Sequence, residues 1–273
     1  MAWWGKLLGG AFGFMLGGPL GAVLGAALGH GFDKGLGAAG GAETLDPGER
    51  ERVQTAFFAA TFSVLGHLSK VDGRVTREEI GLAQTVMQEM DLSPDMRRTA
   101  IHLFNQGKTT DFPLDDVLDQ FRSECRRRQT LIRIFLEVQL QGAYADGSLN
   151  REEERLLAYM ADRLGFPRAA FAALERMIRA EREFAGAASG GAGAGHRTPV
   201  SAPSLDDAYA LLGVASGDSD AVVKKAYRRL LSQHHPDKLV SKGLPEEMMK
   251  LAAHKTHEIK QAYERIKEAR DMH

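Results

Sequence analysis

Apolar residues run from Leu7 to Gly29 without a single charge, 23 positions in all. As a helix this stretch spans about 34 Å at ~1.5 Å per residue, enough to cross a hydrocarbon core about 30 Å thick. The pattern therefore predicts one transmembrane helix over 7–29, after a short tail, 1–6. From Glu49 to Phe184 apolar residues fall three and four apart, with no alternating β-branched run, which predicts helices throughout. Ser93-Pro94, Pro113 and Pro167 fit first turns, Gly107 and Gly165 fit C-terminal caps, and these signals predict about seven helices. Helical spacing returns over 204–273: a short helix ending at Gly213, a second from Asp218 to His234, a loop, and a third from Pro245 to Ala269. The second places Val222, Val223, Ala226, Tyr227, Leu230 and Leu231 on one face, and the third brings Ala262, Tyr263 and Ile266 to one side. Two antiparallel helices bury these stripes against each other. The chain is all-α.

Between these blocks the composition shifts. Residues 30–48 are rich in Gly and Ala and read as a juxtamembrane linker; 185–203 add Ser, Pro199 and Pro203 and read as a flexible tether. In the first stretch glycine recurs at positions 5, 9, 13, 17, 21, 25 and 29. Residues four apart share a helix face, so Gly9, Gly13, Gly17, Gly21 and Gly25 form a stripe almost free of side chains, which favours close pairing with an identical span. A cleavable signal peptide has a shorter apolar core, and a flexible Gly-rich tail lacks the interleaved Leu, Phe, Val and Met. Trp3 and Trp4 fit an anchor among lipid headgroups. Lys6 on one side, and Lys34, Arg50 and Arg52 on the other, do not decide the orientation.

The middle block, 49–184, repeats itself. Asp72-Gly73-Arg74-Val75-Thr76-Arg77-Glu78-Glu79 matches Asp146-Gly147-Ser148-Leu149-Asn150-Arg151-Glu152-Glu153 in type, each after an apolar helical stretch. Asp-Gly makes a turn, and Thr76-x-x-Glu79 and Asn150-x-x-Glu153 are capping boxes. The competing reading makes Asp72, Glu79, Asp146 and Glu153 oxygen ligands of a divalent cation such as Ca²⁺ or Mg²⁺. Neither copy has the alternating acids or the sixth-position glycine of an EF-hand loop. The repeated D-G-x-x-x-x-E-E in an all-α block resembles the TerB-like (tellurite-resistance) family, which strengthens the cation reading without excluding the caps.

In the last block His235-Pro236-Asp237 follows the second helix. With AYALLGV, KKAYRRLL and IKQAYERI at the right distances, this segment resembles the J domain of DnaJ/Hsp40 proteins. The resemblance implies core positions at Tyr209, Leu212, Tyr227, Leu230, Ala262 and Tyr263. It also implies a partner, an Hsp70 (DnaK). The basic face of the second helix docks on an acidic surface of the ATP-bound partner, and His235, Pro236 and Asp237 trigger ATP hydrolysis. Pro236 locks φ and lacks an N–H, fixing a turn that leaves His235 and Asp237 exposed. Lys224, Lys225, Arg228, Arg229, Lys238 and Lys242 give 222–242 six positive charges against Asp237 alone. Without the motif, such a run reads equally as a solvated face or a phosphate-binding patch. The loop is longer than in a minimal J domain, and Thr256 stands where the family commonly has an aromatic residue.

The order of span, TerB-like block, tether and J domain resembles the membrane-anchored DnaJ-like proteins of Gram-negative bacteria. An Hsp70 needs ATP, so the resemblance puts the J domain in the cytoplasm, residues 1–6 in the periplasm and the span in the inner membrane. It implies a co-chaperone of the stress response that regulates an ATPase and requires no cofactor. The middle block would choose an unknown client, and the span would pair two copies. The rival reading is a metal-responsive membrane scaffold, with the J domain as accessory recruiter.

Composition narrows this further. Lys plus Arg total 35 against 36 for Asp plus Glu, a net charge of −1 that argues against a nucleic-acid binder. The lone Cys125 excludes an internal disulfide framework. His234, His235, His254 and His257 lack the paired Cys/His spacing of structural zinc. No nucleophile–base, Walker-type or paired-carboxylate arrangement marks an active site.

Overall fold

The computed structural model describes residues 47–71, 92–125, 128–144, 149–188, 204–245 and 248–272, with Gly18, Leu20, Gly21, Gly81, Gln84, Val86, Met87 and Met90. Ten helices are defined among the described residues: α1 (Pro47–Leu68), α2 (Pro94–Gly107), α3 (Leu114–Cys125), α4 (Gln129–Ala143), α5 (Arg151–Arg163), α6 (Arg168–Ala188), α7 (Leu205–Leu212), α8 (Asp220–His234), α9 (Pro236–Ser241) and α10 (Met249–Ala269). They form two compact units. The first is Met1–Arg168 with Leu239–Leu251, the second Ala169–Lys238 with Ala252–His273. No described helix is long and apolar enough to cross a membrane. The span predicted over 7–29 lies outside the described residues except for Gly18, Leu20 and Gly21, which are helical.

The first unit is built around α1. Its apolar residues face every direction, and Val53 to Leu65 are all buried, as suits a helix enclosed by others. It packs against α2, α3 and α4. Phe121 on α3 stands edge-on to Phe57, with ring centroids 5.8 Å apart, and lies 4.7 Å from Phe135 on α4. Fully burying each such ring contributes about 1.5–3 kcal/mol.

Gly107 corrects an expectation. It does not cap α2 in a left-handed conformation: the cap is Lys108, with φ −79°. A Cβ on Gly107 would lie 1.8 Å from the Ser63 carbonyl oxygen, and one on Gly66 would lie 1.9 Å from that of Phe104. The two glycines let α1 and α2 touch backbone to backbone. Gly165, by contrast, does adopt φ +69° after α5, as a C-terminal cap requires. Ser93 caps α2 through its side chain, which accepts from the Met96 N–H, with Pro94 in the first turn.

At the base of α1 the Arg52 guanidinium donates to both Glu124 carboxylate oxygens, at 2.8 and 3.0 Å, and Arg128 donates to Glu49 at 2.8 Å. Arg163 on α5 bridges Asp115 and Asp119 of α3. Cys125 is buried, and the apolar surroundings push its thiol far above the usual range.

In the second unit α7 opens on a capping box, with Ser204 and Asp207 satisfying each other's N–H groups, and ends at Gly213 with φ +68°. Arg270, at the far end of α10, ties the opposite end of the J-like segment together. It donates to the Tyr209 hydroxyl (2.5 Å), the carbonyls of Ser216 and Asp218 (2.6 Å each) and the Asp220 carboxylate (3.0 Å).

Candidate functional site

The α8–α10 pairing positions the site. Val223, Ala226 and Leu230 of α8 are buried, as are Ile259, Ala262 and Ile266 of α10. Tyr227 and Tyr263 stack face to face at 4.0 Å with planes 9° apart. Of the implied core positions, Tyr209, Leu212, Leu230 and Ala262 are buried, while the two stacked tyrosines are half-buried. Val222 departs from the expected face. It is 44% exposed, because the buried stripe is centred on Val223 and Val222 lies one helical step off it.

The opposite face of α8 carries Lys225, Arg228 and Arg229 exposed to solvent and Lys224 half-buried. It leads to His235, the one residue between α8 and α9. His235 is extended (φ −64°, ψ 121°), the conformation that a following proline imposes by steric clash. Pro236 opens α9, where its missing N–H costs nothing, and Asp237 lies in the first turn, where a carboxylate suits the helix dipole. His235, Asp237 and Lys238 are exposed, and the Lys238 ammonium is drawn back onto the Ser232 hydroxyl at 2.8 Å.

The expected loop after His235-Pro236-Asp237 is therefore largely helix. α9 terminates at Gly243 with φ +101°, where the Leu244 N–H returns to the Leu239 carbonyl and the Gly243 N–H to that of Val240. That hydrogen-bond pair needs a left-handed residue, which only glycine adopts freely.

Sequence reasoning missed what holds the corner. The Thr256 hydroxyl on α10 lies 3.0 Å from the His234 carbonyl and 2.9 Å from that of Ala252. The last carbonyls of a helix have no partner within it, so Thr256 satisfies one immediately before the motif. The signal was visible only as a departure: a threonine where an aromatic residue was expected.

The cation reading of the repeat meets a different arrangement. Asn150 Oδ1 accepts from the Glu152 and Glu153 N–H groups at 2.9 Å, and a Glu153 carboxylate oxygen accepts from the Asn150 N–H at 2.9 Å. The described member of the set, Glu153, is thus nearly buried and engaged in a complete capping box. Asp72, Glu79 and Asp146 lie outside the described residues. Among the described residues no group of three or more His, Cys, Asp or Glu gathers as metal ligands. Of the glycine stripe, Gly21 is described and helical, while Gly9, Gly13, Gly17 and Gly25 lie outside.

A short helix, a basic second helix and a His-Pro-Asp corner buttressed by the third define a J domain, and so a J-domain co-chaperone. Three family models match in the same order: the co-chaperone DjlA transmembrane domain over residues 1–39, tellurite resistance protein TerB over 58–176, and the DnaJ domain over 207–271. The co-chaperone protein DjlA of Salmonella paratyphi A is 45% identical over 269 residues, covering 98% of both chains. Those of Yersinia pseudotuberculosis and Escherichia coli O157:H7 are each 44% identical, again over 98% of both chains. The chain belongs to the DjlA co-chaperone family. No solved structure matches it.

Its J domain implies an Hsp70 partner, and its first residues match a membrane anchor.

Proposed function

We propose that this protein regulates an Hsp70 ATPase at the cytoplasmic face of the bacterial inner membrane and has no active site of its own. Residues 7–29 span the bilayer, with residues 1–6 in the periplasm and everything after 30 in the cytoplasm, where ATP is available. The supporting observation is the exposed corner of His235 and Asp237 beside the exposed Lys225, Arg228 and Arg229. The cationic face of α8 steers an acidic partner surface into register, an effect on encounter rate that salt weakens. The corner then presents an imidazole and a carboxylate in a fixed geometry, because Pro236 and Thr256 remove its freedom. Membrane tethering raises the local concentration of chaperone around clients selected by the middle block.

The span also pairs two copies through Gly9, Gly13, Gly17, Gly21 and Gly25, whose lack of side chains permits close van der Waals contact in lipid. A membrane two-hybrid assay tests that pairing, which Gly13→Leu, Gly17→Leu and Gly21→Leu together abolish. The central test is steady-state ATP hydrolysis by DnaK with the full-length protein in liposomes. The wild type stimulates turnover and His235→Gln or Asp237→Asn abolishes it; equal stimulation by the variants refutes the reading.

A further inference from the structure

Phe171, Leu174, Ile178 and Glu181 recur three or four apart along α6 and are all buried, so one face of the helix is apolar until its last member, a carboxylate. From Ala169 on, α6 belongs to the compact unit that also holds α7, α8 and α10 from Ala252. Glu181 falls between the two family matches, of which the TerB match ends at residue 176 and the DnaJ match begins at 207.

The partner of this carboxylate is on α10. The Lys255 ammonium donates to Glu181, with side chains only 7% and 10% exposed. Water is largely excluded there, so removing either partner leaves a costly uncompensated charge. The pair therefore fixes the turn of α10 that carries Lys255. The next residue on that turn is Thr256, whose hydroxyl lies 3.0 Å from the His234 carbonyl. One backbone step separates the ion pair from the contact that holds the end of α8, and His234 immediately precedes His235-Pro236-Asp237.

We propose that Glu181 is a positioning residue for Hsp70 stimulation. Through Lys255 it sets the turn of α10 that presents Thr256 to the His234 carbonyl, and so the direction in which His235 and Asp237 leave α8. The helix preceding the J-domain match is thereby part of the chaperone-recruiting unit. Without the Glu181 charge, the Lys255 ammonium must reach water. Its stem starts on the buried side of α10, so the turn shifts outward and takes the Thr256 hydroxyl with it. The end of α8 then loses a donor for its last carbonyls. The exposed Lys225, Arg228 and Arg229 are untouched, so encounter with an acidic partner surface persists and the loss falls on the step after it.

The inference rests on the Hsp70 reading above, and one arm of its test needs no Hsp70. Glu181→Gln, made in the full-length protein, keeps the shape of the side chain and removes its charge. Amide exchange is expected to rise at least tenfold at the end of α8 and at His235 and Asp237, with α7 and the Arg270 end of α10 as protected as in the wild type. Unchanged exchange at the corner overturns the positioning. Loss of protection throughout α7, α8 and α10 overturns it too, because the pair would then serve the fold as a whole.

The second arm titrates DnaK ATPase with the same protein in liposomes. Glu181→Gln lowers maximal stimulation at least threefold, while the half-maximal concentration stays within twofold. Lys255→Glu, which brings two carboxylates together, lowers the maximum at least as far. Adding Glu181→Lys to it rebuilds the pair in reverse and restores at least half of the wild-type maximum. An effect confined to the half-maximal concentration, or a reversed pair no better than Lys255→Glu alone, overturns the proposal. Absence of stimulation by the wild type overturns the Hsp70 reading, and the exchange arm still decides whether Glu181 holds the corner.

Discussion

The hydroxyl of Thr256 reaches the carbonyl of His234, tying the last turn of α8 to α10 immediately before the His-Pro-Asp corner. The same hydroxyl lies 2.9 Å from the Ala252 carbonyl, so its single proton is shared between its own helix and the neighbouring one. Thr256→Val keeps the shape and removes the donor. The variant is expected to lose about 1 kcal/mol of stability, with unchanged helical circular dichroism. Its DnaK stimulation falls several-fold because the corner is no longer held, and Thr256→Ser restores it. Full stimulation by the valine variant would show that the bond is structural only.

The difference between what the sequence told and what it withheld follows range. Caps and turns are local, so the helix start at Ser93-Pro94, the Asn150-x-x-Glu153 box and the helix-ending Gly165 and Gly213 were all legible. So was the basic face of α8, since helical spacing alone sets it. Gly107 was misassigned because a glycine at a helix end signals a cap, whereas its purpose is contact with Ser63 on another helix. α9 was hidden because the proline that breaks one helix also starts the next. The Arg270–Tyr209 and Gln54–Leu244 hydrogen bonds join residues 61 and 190 positions apart, and no periodicity reports such distances.

Gly107→Ala and Gly213→Ala make a controlled pair. At Gly107 an added methyl meets backbone at 1.8 Å, so α1 and α2 must separate. At Gly213 the space is open and only the positive φ is strained. Overpacking costs about 1–3 kcal/mol or more, whereas left-handed alanine costs about 1–2 kcal/mol. Hydrogen exchange should show Gly107→Ala loosening α1 and α2, and Gly213→Ala fraying only the end of α7.

Arg270→Lys tests the clamp. A lysine keeps the charge but cannot supply the forked donors that reach Tyr209, Asp220 and the carbonyls of Ser216 and Asp218. The exchange is expected to lower the urea midpoint of the second unit while DnaK stimulation per folded molecule is unchanged, since the His-Pro-Asp corner lies at the other end of α8. Loss of stimulation at full helicity would instead place Arg270 in the functional surface.

Asn150→Ala removes the acceptor for two N–H groups at the start of α5 and is expected to cost about 1 kcal/mol. Glu153→Gln still offers an oxygen to the Asn150 N–H and costs less. Thermal scans with and without EDTA separate this from the cation reading. If chelation lowers the midpoint of the wild type but not of Glu153→Gln, the carboxylate is serving a metal rather than a cap.

His67 makes the first unit sensitive to acid. Its ring lies 5.3 Å from that of Phe112, and its Nδ1 is 3.3 Å from the Gly107 carbonyl, which selects the neutral form protonated at Nδ1. Burial pushes its pKa below the ordinary 6.5, outweighing the carbonyl contact, and nearby Lys70 adds to the depression. The unfolded chain therefore takes up the proton first as pH falls. The contribution of His67 is fully present above about pH 6.5 and declines as the pH drops toward and through the folded-state value. His67→Gln keeps an amide donor for the Gly107 carbonyl and does not titrate. Urea unfolding of the wild type should weaken more steeply than that of the variant between pH 7 and pH 5, and parallel profiles would show that His67 is not linked to folding.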